Sequence, residues 1–236
     1  MPLTAASVKR ELKAVAKPEK AAFYPRFFKT APGEYGEGDR FLGAVVPDQR
    51  KIARRYRELA RTELDKLLGD PFHECRLTGL FILVHQFEKA TDSNARKALV
   101  DYYLSKTSAV NNWDLVDASS HKILGAWLCE QTDRKILKRL SSSPSLWDQR
   151  IAIVATYALI KKGDLDETLM LAEQMLNHPH DLIHKATGWM LREVGKQDPA
   201  VLETFLSHHA ASMPRTMLRY AIEKLSPSQR KYLMAL

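Results

Sequence analysis

An all-α fold, a solenoid of paired helices, is predicted by three observations. Apolar residues recur at three- and four-residue intervals in nearly every segment, and no segment shows a convincing two-residue alternation. The long apolar helices begin near residues 72, 112, 146, 182 and 214, so successive starts are 40, 34, 36 and 32 residues apart. That is the period of helix pairs that stack into a solenoid with a concave face. The repeats share no sequence signature, so element spacing alone carries the inference, and a compact helical bundle is the competing architecture. The chain, 1–236, reads as a single domain of such repeats.

In chain order, Val8, Leu12 and Val15 are spaced for a first amphipathic helix, and Pro18 marks the start of a second that runs from about Glu19 to Lys29. Thr30 to Pro47 is the one long irregular stretch, with Gly33, Gly36, Gly38 and Gly43 between Pro32 and Pro47. Its Gly36-Glu37-Gly38 has no preceding strand and no GKS/T, so it reads as a helix connection positioning a surface loop. Asp48 is the expected N-cap of the next helix, which has Ile52, Tyr56 and Leu59 at helical spacing. The same helix carries Arg50, Lys51, Arg54, Arg55 and Arg57, either a solvated face or a set of phosphate contacts. Further helices are expected over about 62–68, 71–89 and 93–104, the last capped by Thr91 or Asp92. The helix opened by Asn111-Asn112-Trp113 follows, then 133–140, 145–162, 164–176, 181–196, 199–209 and 214–225.

Charge and composition narrow the partners. With 36 Lys and Arg against 28 Asp and Glu, the net charge is +8 and the pI about 9.4, which favours a polyanion such as nucleic acid. Cys75 and Cys129 lie in apolar helical stretches without a CxxC and read as small buried hydrophobes in a reducing cytoplasm. The N-terminus from Met1 to Arg10 lacks an apolar core of signal-peptide length, and no run is long enough to span a membrane. A cytoplasmic monomer without metal or cofactor is the expectation. The histidines form no HExxH or CxxC geometry, and no GxSxG or Walker loop occurs.

Trp113 and Asp117 lie four residues apart and share a helix face, about 6 Å apart along the axis. An indole beside a carboxylate at the edge of an apolar stripe is either packing or chemistry. Trp113 could belong to a core face with Val116, Ile123, Leu124 and Trp127, and Trp127 and Trp147 read as core. Asp117 is harder to place as structure, because a buried carboxylate needs a partner, whereas Asp114 is explained as a helix N-terminal charge. The repeat period sets Trp113, Arg150 and Trp189 at spacings of 37 and 39, each in a successive long helix. The expected surface carries Trp113 with Asp117, then Arg150, then Trp189 with Arg192, extended by Arg76 upstream and Arg219 downstream. Cations for phosphates and indoles for sugars or bases suit DNA.

Three stretches, Asn112-Trp113-Asp114-Leu115-Val116-Asp117, Leu146-Trp147-Asp148-Gln149-Arg150-Ile151 and Lys185-Ala186-Thr187-Gly188-Trp189-Met190-Leu191-Arg192, together resemble the AlkD-like DNA alkylation repair family of HEAT-like-repeat glycosylases. The resemblance covers roughly Pro47 to Arg219. It implies excision of cationic N3- and N7-alkylated purines from duplex DNA without base flipping. It assigns Asp117 to stabilising the oxocarbenium-like sugar, Trp113 and Trp189 to packing on the deoxyribose and backbone, and Arg150 to holding a phosphate. The chain departs from the best-known members in having Asn112 where they carry a second tryptophan, and in a longer Gly-rich loop. A non-catalytic binder of damaged or branched DNA and a protein-binding helical scaffold are the alternatives.

Overall fold

The computed structural model describes residues 3–236; Met1 and Pro2, the start of the N-terminal stretch read above, lie outside them. The fold is all-α. The one β feature among the described residues is an isolated bridge between Arg40 and Phe72. Among the described residues no helix is long and apolar enough to cross a membrane. The chain divides after Ser119 into two compact units.

The first unit contains α1 (Ala5–Ala14), α2 (Pro18–Phe27), α3 (Val46–Arg55), α4 (Arg61–Leu68), α5 (His73–Lys89), α6 (Ser93–Ser105) and the greater part of α7 (Trp113–Ser120). Its centre is α5, buried on almost every side, with Leu80, Ile82 and Leu83 inaccessible. A helix apolar all round needs partners all round, and α1, α3, α4 and α6 supply them. Asp92 caps α6 through the Ala95 N–H at 2.7 Å, as expected. Asp48 does not cap α3: the helix begins at Val46, capped by Val45, because Pro47 is already set for the first turn. Asp48 lies inside that first turn, where its charge complements the helix dipole.

The second unit continues through a π-helical turn, His121–Gly125, into α8 (Ala126–Leu128). Then come α9 (Lys135–Ser141), α10 (Leu146–Ala155), α11 (Tyr157–Ile160), α12 (Asp166–Gln174), α13 (Asp181–Gln197), α14 (Pro199–His209), α15 (Arg215–Ala221) and α16 (Pro227–Ala235). Here α10 packs on α13 and α13 on α15, so helices one period apart in sequence are spatial neighbours, as in stacked helical pairs. Two glycines permit close approaches of neighbouring backbone. A Cβ on Gly125 would lie 2.2 Å from the Ala155 carbonyl oxygen, and one on Gly188 would lie 2.4 Å from that of Met217. Trp127 and Trp147, expected as core, are half-buried. The fully buried side chains of this region include Ile123, Leu124 and Ile151.

Candidate active site

The α7 turn divides its residues into buried and partly accessible positions. Asn112, Leu115, Val116 and Ser119 are inaccessible, while Trp113, Asp114 and Asp117 are only partly buried. Trp113 and Asp117 therefore lie on the more accessible stripe of α7, opposite the inaccessible Leu115 and Ser119. Asn112 accounts for the departure from a tryptophan pair. Its Oδ1 accepts the Trp113 N–H at 2.8 Å, and its Nδ2 donates to Asp39 Oδ2 at 3.3 Å. A tryptophan there has an indole N–H to donate but no acceptor for the Trp113 N–H.

Trp113 is held by rings from the end of α2. Phe28 stacks on it with centroids 5.5 Å apart and planes 25° apart, and Phe27 meets it edge-on at 5.8 Å. Phe28 stacks in turn on Phe41 at 5.2 Å. Offset and edge contacts of this kind each add about 0.5–1.5 kcal/mol beyond the area they bury. Phe27 remains 47% exposed, so the aromatic cluster reaches the surface beside the Trp113–Asp117 stripe.

Beneath the cluster lies a charged network. His73 opens α5 at 2% exposure, with Nδ1 3.0 Å from Asp39 Oδ2 and Nε2 2.8 Å from Asp114 Oδ2. Two carboxylates facing both ring nitrogens require both to donate, which makes the ring an imidazolium. Burial pulls the imidazole pKa down, but Asp114 and Asp39 outweigh it and push it up to about 9. For Asp39, burial acts to raise the carboxyl pKa, and the His73 hydrogen bond with the Arg76 charge holds it below the usual range. Asn111 also donates to Asp39, at 3.4 Å.

Arg76, expected on the open DNA-facing surface, belongs to this network instead. It is 6% exposed, with Nη2 on Asp39 and Nη1 donating to the Asp70 carbonyl at 2.9 Å. The spacing argument failed because Arg76 lies three residues after His73, on the face of α5 that the Gly-rich loop covers. Nor is that loop only a surface feature. Glu74, itself buried, accepts the Leu42 N–H at 2.9 Å and the Gly43 N–H at 2.7 Å. The loop backbone also pairs with the start of α5 through Arg40 N–H to Pro71 O and His73 N–H to Arg40 O. Gly43 has φ +95°, and a Cβ would lie 2.2 Å from the Lys17 carbonyl oxygen, so only glycine fits this crossing.

In the second unit Trp189 is half-buried on α13 and packs against Tyr157 with centroids 5.9 Å apart. Tyr157 meets His121 edge-on at 5.3 Å and carries the Lys161 ammonium over its ring at 5.3 Å. Arg150 is 5% exposed, with Nη1 donating to the Leu182 carbonyl at 2.5 Å, so it is a buried charge and not a side chain extended into solvent. It sits beside the turn where His180 Nδ1 caps α13 through the Leu182 N–H at 3.1 Å. Arg192 is engaged by Glu193 at 3.4 Å and by Glu223. Arg219 is exposed and has no ion-pair partner among the described residues. The basic face of α3 is partly self-neutralised: Arg55 pairs with Glu11, Lys51 with Asp48 at 3.2 Å, and Arg50 lies over the Phe81 ring at 4.1 Å.

The residues the sequence did not single out are Asp39, Phe28, Phe41 and His73. Their partners lie in the loop, in α5 and in α7, and no local spacing reports such a meeting.

Comparison with known proteins decides the lineage. The family model for DNA alkylation repair enzymes matches residues 8–225. The chain belongs to the DNA alkylation repair enzyme family. A solved structure described as a predicted DNA alkylation repair enzyme from Enterococcus faecalis is similar in fold, with a TM-score of 0.70 at 18% identity. That similarity covers 90% of this chain and 97% of the other. No curated protein matches. Family membership makes a role in DNA alkylation repair, with DNA as the partner, the frame in which the α7 stripe is to be read.

Proposed function

We propose that the protein is a DNA glycosylase that hydrolyses the N-glycosidic bond of cationic N3- and N7-alkylated purines in duplex DNA. The observation that carries this reading is the partly accessible Trp113–Asp117 stripe of α7, in a chain of the DNA alkylation repair enzyme family. Trp113 and Asp117 stay partly accessible on a helix whose Leu115 and Val116 are buried, which supports this reading.

The chemistry follows from the lesion. An alkylated purine carries positive charge, so when the C1′–N bond breaks its electron pair neutralises the departing base. The positive charge passes to the sugar as an oxocarbenium-like centre. Asp117, as a carboxylate, stabilises that centre and orients the water whose oxygen bonds to C1′; the water's proton leaves to Asp117 or solvent. Trp113 packs on the deoxyribose and excludes bulk water, with its ring plane fixed by Phe28 and Phe27. Trp189 plays a corresponding packing role in the second unit, set in place by Tyr157. Arg150, bonded to the Leu182 carbonyl and buried, attracts a phosphate through space and not by direct contact, and Arg192 and Arg219 supply outer contacts. Because the lesion supplies the leaving-group charge, base flipping into a pocket is not required.

A duplex carrying a single 7-methylguanine tests this directly. Free base should appear in proportion to enzyme under single-turnover conditions, and a bulky N7 adduct should be released as well. Tight binding with no free base would identify a passive reader of damaged DNA.

A further inference from the structure

We propose that His73 is a positioning residue for the α7 stripe: as a two-sided donor between Asp39 and Asp114, it locks the first turn of α7 so that Trp113 is held flat against Phe28. The geometry makes the connection short. Asp114 is the residue next to Trp113, and its carboxylate is 2.8 Å from His73 Nε2. Phe28 lies 4.8 Å from the His73 ring and 5.5 Å from the Trp113 ring, so one phenyl touches both. Asp39 closes the circle, because Asn112, which caps the Trp113 N–H, also donates to it. Trp113 is thus fixed by its backbone, by its neighbour's carboxylate and by its ring, and all three routes converge on His73.

The charged and titratable groups facing this ring are Asp39 from the loop, Asp114 from α7, and Arg76 and Glu74 from α5 itself. Tyr24 of α2 also lies within the field of Asp114 and Glu74. If His73 loses its proton, one ring nitrogen becomes an acceptor facing a carboxylate, and one of the two bonds must break. The geometry of α7 then depends on the His73 proton, which the two carboxylates retain up to about pH 9.

The inference rests on the excision reading, and the experiment separates the two. Single-turnover release of 7-methylguanine and DNA affinity are measured from neutral to alkaline pH for wild type, His73→Gln and Asp114→Asn. The emission of Trp113, obtained by difference from Trp113→Phe, is followed alongside. The wild-type rate should hold at neutral pH and fall on an alkaline limb near pH 9, with Trp113 emission moving on the same limb and affinity constant. His73→Gln should release base roughly 10–100-fold more slowly at neutral pH, with nearly unchanged affinity and no limb. Asp114→Asn, which keeps an acceptor but removes the charge, should move the limb to lower pH. A folded His73→Gln with wild-type rate and emission overturns the inference, as does an Asp114→Asn limb that stays in place. If wild type releases no base, the excision reading fails and the emission titration decides this one: movement on the limb supports it, flat emission overturns it.

Discussion

Asp39 is the residue on which the first unit's charged network depends. Its carboxylate is 3% exposed and accepts from His73, Arg76, Asn111 and Asn112. Removing it leaves Arg76 as a buried cation without a carboxylate and His73 with Asp114 alone, which costs about 3–5 kcal/mol by analogy with other broken buried pairs. Asp39→Ala should therefore lower the urea midpoint sharply; a midpoint within experimental error of wild type would show that the network contributes little. The pH response has a definite sign. His73 has a folded pKa raised above its unfolded value of 6.5 to about 9, so its contribution is complete below 6.5 and lost as pH rises through 9. Asp39 is depressed, so its contribution is present above its unfolded value of 3.8 and lost as pH falls below it. Urea unfolding across this range should show a stability plateau at mildly acidic pH with both edges steeper than in Asp39→Ala. At this scale the sequence was informative where the geometry is local. Trp113 and Asp117 could be paired on one face because an i,i+4 relation depends only on the helix. His73 could not be paired, because its partners are 34 and 41 residues away, in a loop and in another helix.

At the scale of elements, two contacts carry specific consequences. Gly188 precedes Trp189 and lets α13 approach α15, with no room for a side chain against the Met217 carbonyl or the Tyr220 Cβ. Gly188→Ala should cost about 1–3 kcal/mol from overpacking, visible in thermal unfolding, and should lower activity by displacing Trp189. Equal stability of Gly188→Ala and wild type would mean that α15 shifts freely. Glu74 anchors the Gly-rich loop, so Glu74→Ala should open the 30–45 stretch to proteolysis well before global unfolding. A cleavage rate equal to that of wild type would show the loop to be held by other means. Helix positions were widely legible from apolar spacing, with the 181–196 and 199–209 segments recovered almost to the residue. Three features were not. The 145–162 segment breaks at Thr156, whose hydroxyl bonds back to the Ile153 carbonyl at 2.7 Å. The α7 helix widens into a π-turn at His121, which no propensity signals. The last helix, α16, passed unremarked although Ser226, Pro227 and Gln229 form a capping box with proline at the first turn.

At the scale of the whole molecule, charge is the property that reaches furthest. A net charge of +8 directed at DNA predicts an affinity that falls with salt, by a slope of about 0.9 per phosphate neutralised. Arg219→Ala, at an exposed position, should reduce that slope by about one contact and leave stability unchanged. Arg76→Ala should do the reverse, destabilising the first unit with no specific effect on the slope, because its guanidinium is spent on Asp39 and Asp70. The contrast between these two arginines shows what a repeat period can and cannot convey: it places residues in successive helices, but the neighbouring chain decides which of them meet solvent. The central claim concerns Asp117, and comparison of wild type with Asp117→Asn in release of 7-methylguanine from duplex DNA tests it most directly. The substitution keeps the side chain's size and removes its charge, so base release should fall by roughly 100-fold or more while DNA affinity stays within a few-fold. Release by Asp117→Asn at the wild-type rate would contradict the account.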